Sequence, residues 1–297
     1  MRAFEYFTAT DAKHAVALLA QHAPARVLAG GTDLLADLKS SPVHAPRTVV
    51  DISRAGDLRK IEVNARGLCL GALVTHSEIM ASKVIREMFP ALVDAAHTIG
   101  AVQTRNLGTL GGNLVTAVPS VDSGPTLVAL DALVTIAGPA GRRQLPLTEF
   151  FVGPRRTALR PDELLVEIVV PKANLYKPAH FLKMGLRKGQ ALALVNAASS
   201  LWLDAKKNTC RDVRIALGAV APTVVRARRA EQFLEGRAAS AENLAEAGRL
   251  AVEDARPISD MRASAEYRRD LVAVLARRTL EAACLQARAT KPKGARP

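Results

Sequence analysis

The residues best suited to chemistry in this chain lie in two double-glycine turns, Ala29-Gly30-Gly31-Thr32-Asp33 and Thr109-Leu110-Gly111-Gly112-Asn113. Adjacent glycines let the main chain take positive φ and bring consecutive N–H groups close to a bound group without Cβ interference. The first turn runs straight into Leu34 and a helix-like segment. A helix N-terminus carries partial positive charge on N–H groups that lack intrahelical acceptors. Thr32, Thr109, Asn113 and Thr116 add side-chain donors. A single Gly-Gly pair is more often a plain tight turn than a ligand site. Two of them, about eighty residues apart and with similar small polar neighbours, imply two anion cradles converging on one diphosphate.

Other chemistries lack their residues. Neither turn matches G-x-G-x-x-G, and no G-x-x-x-x-G-K-[ST] loop or G-x-S-x-G elbow occurs. Cys69, Cys210 and Cys284 are far apart and form no C-x-x-C pair, so they can build neither an iron–sulfur cluster nor a structural zinc site. His14, His22, His44, His76, His97 and His180 show no metal-ligand spacing. Neither a catalytic nucleophile nor a metal centre is therefore expected.

The net charge of +13 and the isoelectric point of about 10.2 raise nucleic acid as a partner. Against it, aromatics are only 4% of residues, and the basic clusters Arg226 to Arg229, Arg268-Arg269 and Arg277-Arg278 hold none on which bases could stack. A basic surface equally attracts an acidic partner subunit. No apolar run approaches the roughly 18–20 residues of a membrane span. Arg2, Glu5, Asp11 and Lys13 interrupt what would be a signal-peptide core. The expectation is a cytoplasmic protein without a membrane span and without nucleic acid.

The elements around the turns must position them. Thr10 or Asp11 can cap a helix with Ala15, Val16, Leu18 and Leu19 on one face, and Arg26-Val27-Leu28 is a short strand entering the first turn. Residues 33–39 read as a helix opening directly after it, and Pro42 and Pro46 punctuate a loop before a strand over 48–52. Strands are expected over 58–63 and 68–74, then a short helix capped by Thr75 or Ser77 and another opened by Pro90 and closed by Gly100. Residues 101–125 read as a loop rich in Gly, Thr, Asn and Ser. Its buried backbone groups need partners, and a ligand is one candidate. Strands follow over 132–137, 164–170, 180–187, 193–203 and 213–220, then helices over 231–234, 241–254 and 265–287. The segment Pro171 to Pro178 marks the boundary between domains at 1–175 and 176–287, followed by a flexible tail at 288–297.

At this point three ordered blocks carry a resemblance. They are Ala29-Gly30-Gly31-Thr32-Asp33-Leu34-Leu35, Gln103-x-Arg105-Asn106-x-Gly108-Thr109-Leu110-Gly111-Gly112-Asn113-Leu114, and Ala117-x-Pro119-x-x-Asp122-x-x-Pro125. Together they resemble the FAD-binding medium subunit of molybdenum hydroxylases, the group that includes the flavoprotein subunits of carbon monoxide dehydrogenase and xanthine dehydrogenase. The likeness is densest in the second block and runs over residues 1 to about 287. It implies an α+β fold with a PCMH-type FAD-binding domain of two subdomains, about 1–56 and 57–175. A C-terminal domain of a small sheet plus helices follows, like that of the carbon monoxide dehydrogenase flavoprotein.

By the same resemblance, Ala29, Gly30, Gly31, Thr32, Asp33 and Leu34, with Thr109, Leu110, Gly111, Gly112 and Asn113, hold the FAD diphosphate. Thr116 and Asp122 lie toward the ribose or flavin. Lys183, in Phe181-Leu182-Lys183-x-x-x-Arg187, matches a basic residue placed near the isoalloxazine. The acidic residue common two positions before the next Ala-x-Val is here Ala191, a departure at the flavin-ring face. Thr32 stands where flavoproteins with a covalent flavin carry histidine, so the FAD is expected to be noncovalent.

The resemblance also implies a division of labour. The molybdenum cofactor sits on a large partner subunit and two [2Fe–2S] clusters on a small one, in a heterotrimer or a dimer of heterotrimers. Electrons reach the FAD of this chain and leave to an external acceptor, a role that needs no catalytic base here. The sparse cysteines agree with clusters carried elsewhere. Two other functions stay open on the residues alone. One is a stand-alone flavin reductase of the same cofactor fold, such as the enolpyruvyl-UDP-sugar reductase. The other is a basic scaffold or nucleic-acid-binding protein whose glycine pairs are plain turns.

Overall fold

The structure, a computed structural model, describes residues 3–40, 46–204 and 206–289. The chain divides into two compact units, one of residues 1–79, 100–117 and 132–173, the other of 80–99, 118–131 and 174–297.

The first unit holds two sheets. Strands Glu5–Thr8, Thr48–Asp51 and Ala25–Leu28 lie side by side in that order, all parallel. Parallel strands of one sheet need a crossover, and helix Ala12–Gln21 supplies the one from the first edge strand, Glu5–Thr8, to the other, Ala25–Leu28. Asp11 caps it by accepting from the His14 N–H at 2.8 Å. Ala12, Ala15, Val16 and Leu19 turn inward at the three- and four-residue spacing of one helix face. Strand Glu5–Thr8 was not foreseen, because none of its side chains is fully buried and no alternation marks it.

The second sheet is antiparallel, in the order Ile61–Asn64, Gly67–Gly71, Leu164–Pro171, Leu133–Gly138 and Gly141–Pro146. Its last strand reads Gly-Arg-Arg-Gln-Leu-Pro, an exposed edge that escaped the hydrophobic pattern. Ala15, Leu19, Val50, Leu73, Leu164 and Val166 belong to one apolar cluster that joins both sheets.

Residues 101–125 are not the loop that composition suggested. They form helices Val102–Leu107 and Leu110–Thr116 in the first unit, and begin helix Ser123–Ala129 in the second. Gly, Asn and Thr are weak helix formers, and such short helices hold only through tertiary bonds.

The second unit is built on an antiparallel sheet of Ala179–Gly185, Ala193–Asp204, Thr209–Gly218 and Val225–Arg226, in that order. Strand Ala193–Asp204 is covered on both faces, so it reads as a run of small and apolar residues rather than an alternating one. Ser199 shares a 2.7 Å hydrogen bond with Thr279 of helix Ala265–Ala289, while Ser200 on the opposite face donates to the Ala129 carbonyl at 2.6 Å. Leu275, Leu280 and Cys284 of that helix are buried in this unit's core with Val272, Ala276 and Ala283, and Leu271 packs against it partly buried. Pro42, His44 and the expected tail from residue 290 onward lie outside the described residues. Among the described residues no helix is long and apolar enough to cross a membrane, and no cluster of three or more His, Cys, Asp or Glu could hold a metal ion.

Candidate cofactor site

The two glycine turns meet inside the first unit. Strand Ala25–Leu28 delivers the chain to Gly30 and Gly31, and helix Leu34–Ser40 opens at once, the Leu35 N–H donating to the Gly31 carbonyl at 3.0 Å. Gly31 takes φ +72°, where a Cβ is strained. Gly30 has a different reason to be glycine. A Cβ there would stand 1.8 Å from the Leu107 carbonyl oxygen and 3.1 Å from the Gly108 nitrogen, so the two main chains touch directly. Two further links join the turns. Thr32 Oγ1 lies 3.6 Å from where a Cβ on Gly108 would stand, and Thr116 Oγ1 donates to Asp33 Oδ2 at 3.3 Å.

The turns are not equivalent, as the paired-cradle reading had supposed. At the second, the N–H of Leu110 donates to the Val74 carbonyl (2.8 Å) and that of Gly111 to the Ala72 carbonyl (2.9 Å). The Gly112 N–H donates to the Oγ1 of Thr109, the helix cap (3.0 Å), and the Asn113 N–H to the Thr109 carbonyl (2.9 Å). Gly111 is small because Ala72 leaves no room: a Cβ would meet both Ala72 Cβ and its carbonyl at 2.7 Å. Among the described residues no protein group accepts from the N–H groups of Gly30, Gly31, Thr32 and Asp33. Gly30 and Gly31 are half-buried and Thr32 and Asp33 exposed, so these donors are open to a ligand. The first turn thus carries the donors and the second braces it.

This arrangement fits the diphosphate of a dinucleotide. Successive main-chain N–H groups entering a helix suit a bridging dianion. Hydrogen bonds to a charged acceptor contribute about 1.5–3 kcal/mol each.

Asp122 and Lys183 lie in the second unit and form an ion pair of 2.5 Å, with both side chains at most 10% exposed. Lys183 and Asn196 are directly opposite on neighbouring antiparallel strands, which aims both side chains at the same carboxylate. Asn196 Nδ2 donates to Asp122 Oδ1 at 2.9 Å and to the Val121 carbonyl at 3.2 Å. Lys183 also donates to the Thr98 carbonyl at 3.2 Å. Burial pushes the Asp122 carboxyl up, and the bonds from Lys183 and Asn196 oppose that shift.

Sequence reasoning missed His76, which is buried against the second turn. Its N–H donates to the Gly108 carbonyl at 3.1 Å, beside a bridge between Thr75 and Thr109. The local signal that existed was the capping box Thr75-x-x-Glu78: Glu78 Oε2 accepts from the Thr75 N–H at 2.7 Å while Thr75 Oγ1 accepts from the Glu78 N–H at 3.1 Å. That box fixes where helix His76–Ala81 begins, not what its first residue touches.

Residues 2–173 match the family model for the FAD binding domain in molybdopterin dehydrogenase, and residues 180–283 that for the CO dehydrogenase flavoprotein C-terminal domain. The chain belongs to the FAD-binding flavoproteins of the molybdenum hydroxylases. It is 34% identical to the 6-hydroxypseudooxynicotine dehydrogenase complex subunit alpha of Paenarthrobacter nicotinovorans, over 97% of each chain. It is 32% identical to the carbon monoxide dehydrogenase medium chain of Hydrogenophaga pseudoflava, over 94% of this chain and 96% of that one. Its structure is similar to reconstituted CO dehydrogenase from Oligotropha carboxidovorans, with a TM-score of 0.91 and 31% identity over 96% of this chain and 99% of that one. The chain is therefore a flavoprotein, and FAD is its cofactor.

Proposed function

We propose that this chain carries a noncovalent FAD and passes electrons from [2Fe–2S] clusters of a small partner subunit to an external acceptor. Substrate oxidation takes place at a molybdenum cofactor on a large partner subunit, and the three chains form a heterotrimer or a dimer of heterotrimers. The observation that carries the reading is the direct main-chain contact of Gly30 with Leu107 and Gly108 beside four uncommitted N–H groups.

Bound FAD supplies the capacity to exchange electrons singly or in pairs. The residues of this chain bind and orient it. The N–H groups of Gly30, Gly31, Thr32 and Asp33 hold the diphosphate from the helix end, and Thr109, Leu110, Gly111, Gly112 and Asn113 keep the facing turn in place. Thr32 offers a hydroxyl rather than an imidazole at the edge of the first turn and so no nitrogen for a flavin bond. Relatives named as a medium chain and as a subunit of a dehydrogenase complex support an assembly with further chains. The strongly basic composition suits an acidic partner surface.

The test is isolation of the native protein followed by acid precipitation. The expected result is a flavin absorption spectrum, yellow colour released to the supernatant, and co-purification with molybdenum- and iron–sulfur-containing chains. A yellow pellet overturns the noncovalent attachment. A chain that purifies alone and reduces a substrate by itself overturns the subunit role in favour of a stand-alone reductase.

A further inference from the structure

One side chain at the meeting point of the turns has no protein partner for its ring. His76 is 1% exposed, and its Nδ1 is sealed in without a hydrogen bond. An enclosed N–H without an acceptor is costlier than an under-used lone pair, so the ring carries its proton on Nε2. Burial, together with the charge of Arg105, pushes the His76 pKa down to about 4, and the ring is neutral at pH 7. The ring edge away from Nδ1 lies against the second turn: Cδ2, which is bonded to Nε2, is 3.4 Å from where a Cβ on Gly108 would stand. Thr32 Oγ1 approaches the same point at 3.6 Å, and Gly30 abuts the Gly108 nitrogen. His76, Thr32 and the first turn therefore surround one spot, and among the described residues no group accepts from the imidazole there.

Resting on the FAD reading above, we infer that His76 is a further diphosphate-binding residue, its Nε2–H joining the main-chain donors of residues 30–33. A neutral donor adds a hydrogen bond to the dianion without adding a charge that would have to be buried when the cofactor is absent. It also gives the second turn, whose own N–H groups are spent, one donor to contribute.

The test compares the full chain, freed of flavin, with its His76→Phe variant, which keeps a ring of similar size and removes the N–H. FAD binding is followed by flavin fluorescence, ADP by competition, and riboflavin as a ligand without phosphate. The expected result is a loss of about 10- to 100-fold in affinity for both FAD and ADP. Riboflavin binding and the melting temperature of the flavin-free chain stay unchanged. Equal FAD affinity in the two proteins, or a loss confined to riboflavin, overturns the inference. If the wild-type chain itself takes up neither FAD nor ADP, the FAD reading fails, which is a different outcome. Should His76→Phe not fold, the ring nitrogens of the wild-type chain carry the test by NMR. Saturating ADP shifts Nε2 and leaves Nδ1 in place, and an unmoved Nε2 overturns the inference.

Discussion

Replacing Gly30 with alanine probes the main-chain contact on which the proposed FAD site rests. The new Cβ would lie 1.8 Å from the Leu107 carbonyl oxygen and 2.5 Å from its carbon, both main-chain atoms that no rotamer change can move. Reaching an ordinary contact of about 3.5 Å requires the two chains to part by about 1.7 Å. Overpacking of this kind costs about 1–3 kcal/mol, or on the order of 5 °C in melting temperature for a chain of this size. The effect on FAD is larger. A displacement of that extent takes N–H···O distances beyond the hydrogen-bonding range, and losing two charge-assisted bonds raises the dissociation constant roughly 10²- to 10⁴-fold. Titration of the flavin-free variant with FAD, followed by fluorescence quenching, reads the affinity, and thermal denaturation reads the fold. Gly112→Ala is the control, since its Cβ meets only the Thr109 hydroxyl, at 2.9 Å, and is expected to be milder on both readouts. A Gly30→Ala protein with wild-type FAD affinity and melting temperature would refute the reasoning.

Two other consequences concern buried charge. Because the folded-state pKa of His76 is about 4 against 6.5 for the free side chain, the unfolded chain takes up the proton first. Stability from this group is therefore lost as pH falls from 6.5 toward 4, by up to about 3 kcal/mol, of which roughly 2 is gone by pH 5. Urea unfolding at pH 7 and pH 5 should show a smaller acid-side loss in His76→Phe than in wild type, and equal losses would refute the assignment. Asp122→Ala leaves Lys183 buried without its carboxylate and should cost about 3–5 kcal/mol of stability. The double variant Asp122→Ala with Lys183→Met should recover part of it. Denaturation of the four proteins in a double-mutant cycle checks the coupling, and additive losses would show that the pair does not interact.

The sequence by itself determined what is local. The double glycines, a helix cap at Thr10 or Asp11, another at Thr75 or Ser77, Pro90 at the start of helix Pro90–His97 and the apolar spacing of helices Ala12–Gln21 and Ala265–Ala289 act through neighbours within a turn or two. The ordered motif around the second turn likewise carried the family. Strands such as Glu5–Thr8 and Gly141–Pro146 stayed hidden because edge strands with exposed faces lack the alternation by which a strand is read. Only the tertiary structure decided which glycine meets which backbone, that the N–H groups of the second turn are spent on Ala72 and Val74, and that Lys183 faces Asp122 and Asn196. The same holds for residues 80–99 and 118–131, which pack with the C-terminal sheet rather than with their sequence neighbours. The physical reason is common to all four. Each is a contact between segments far apart along the chain, set by strand pairing and core packing, and no local residue pattern encodes its partner.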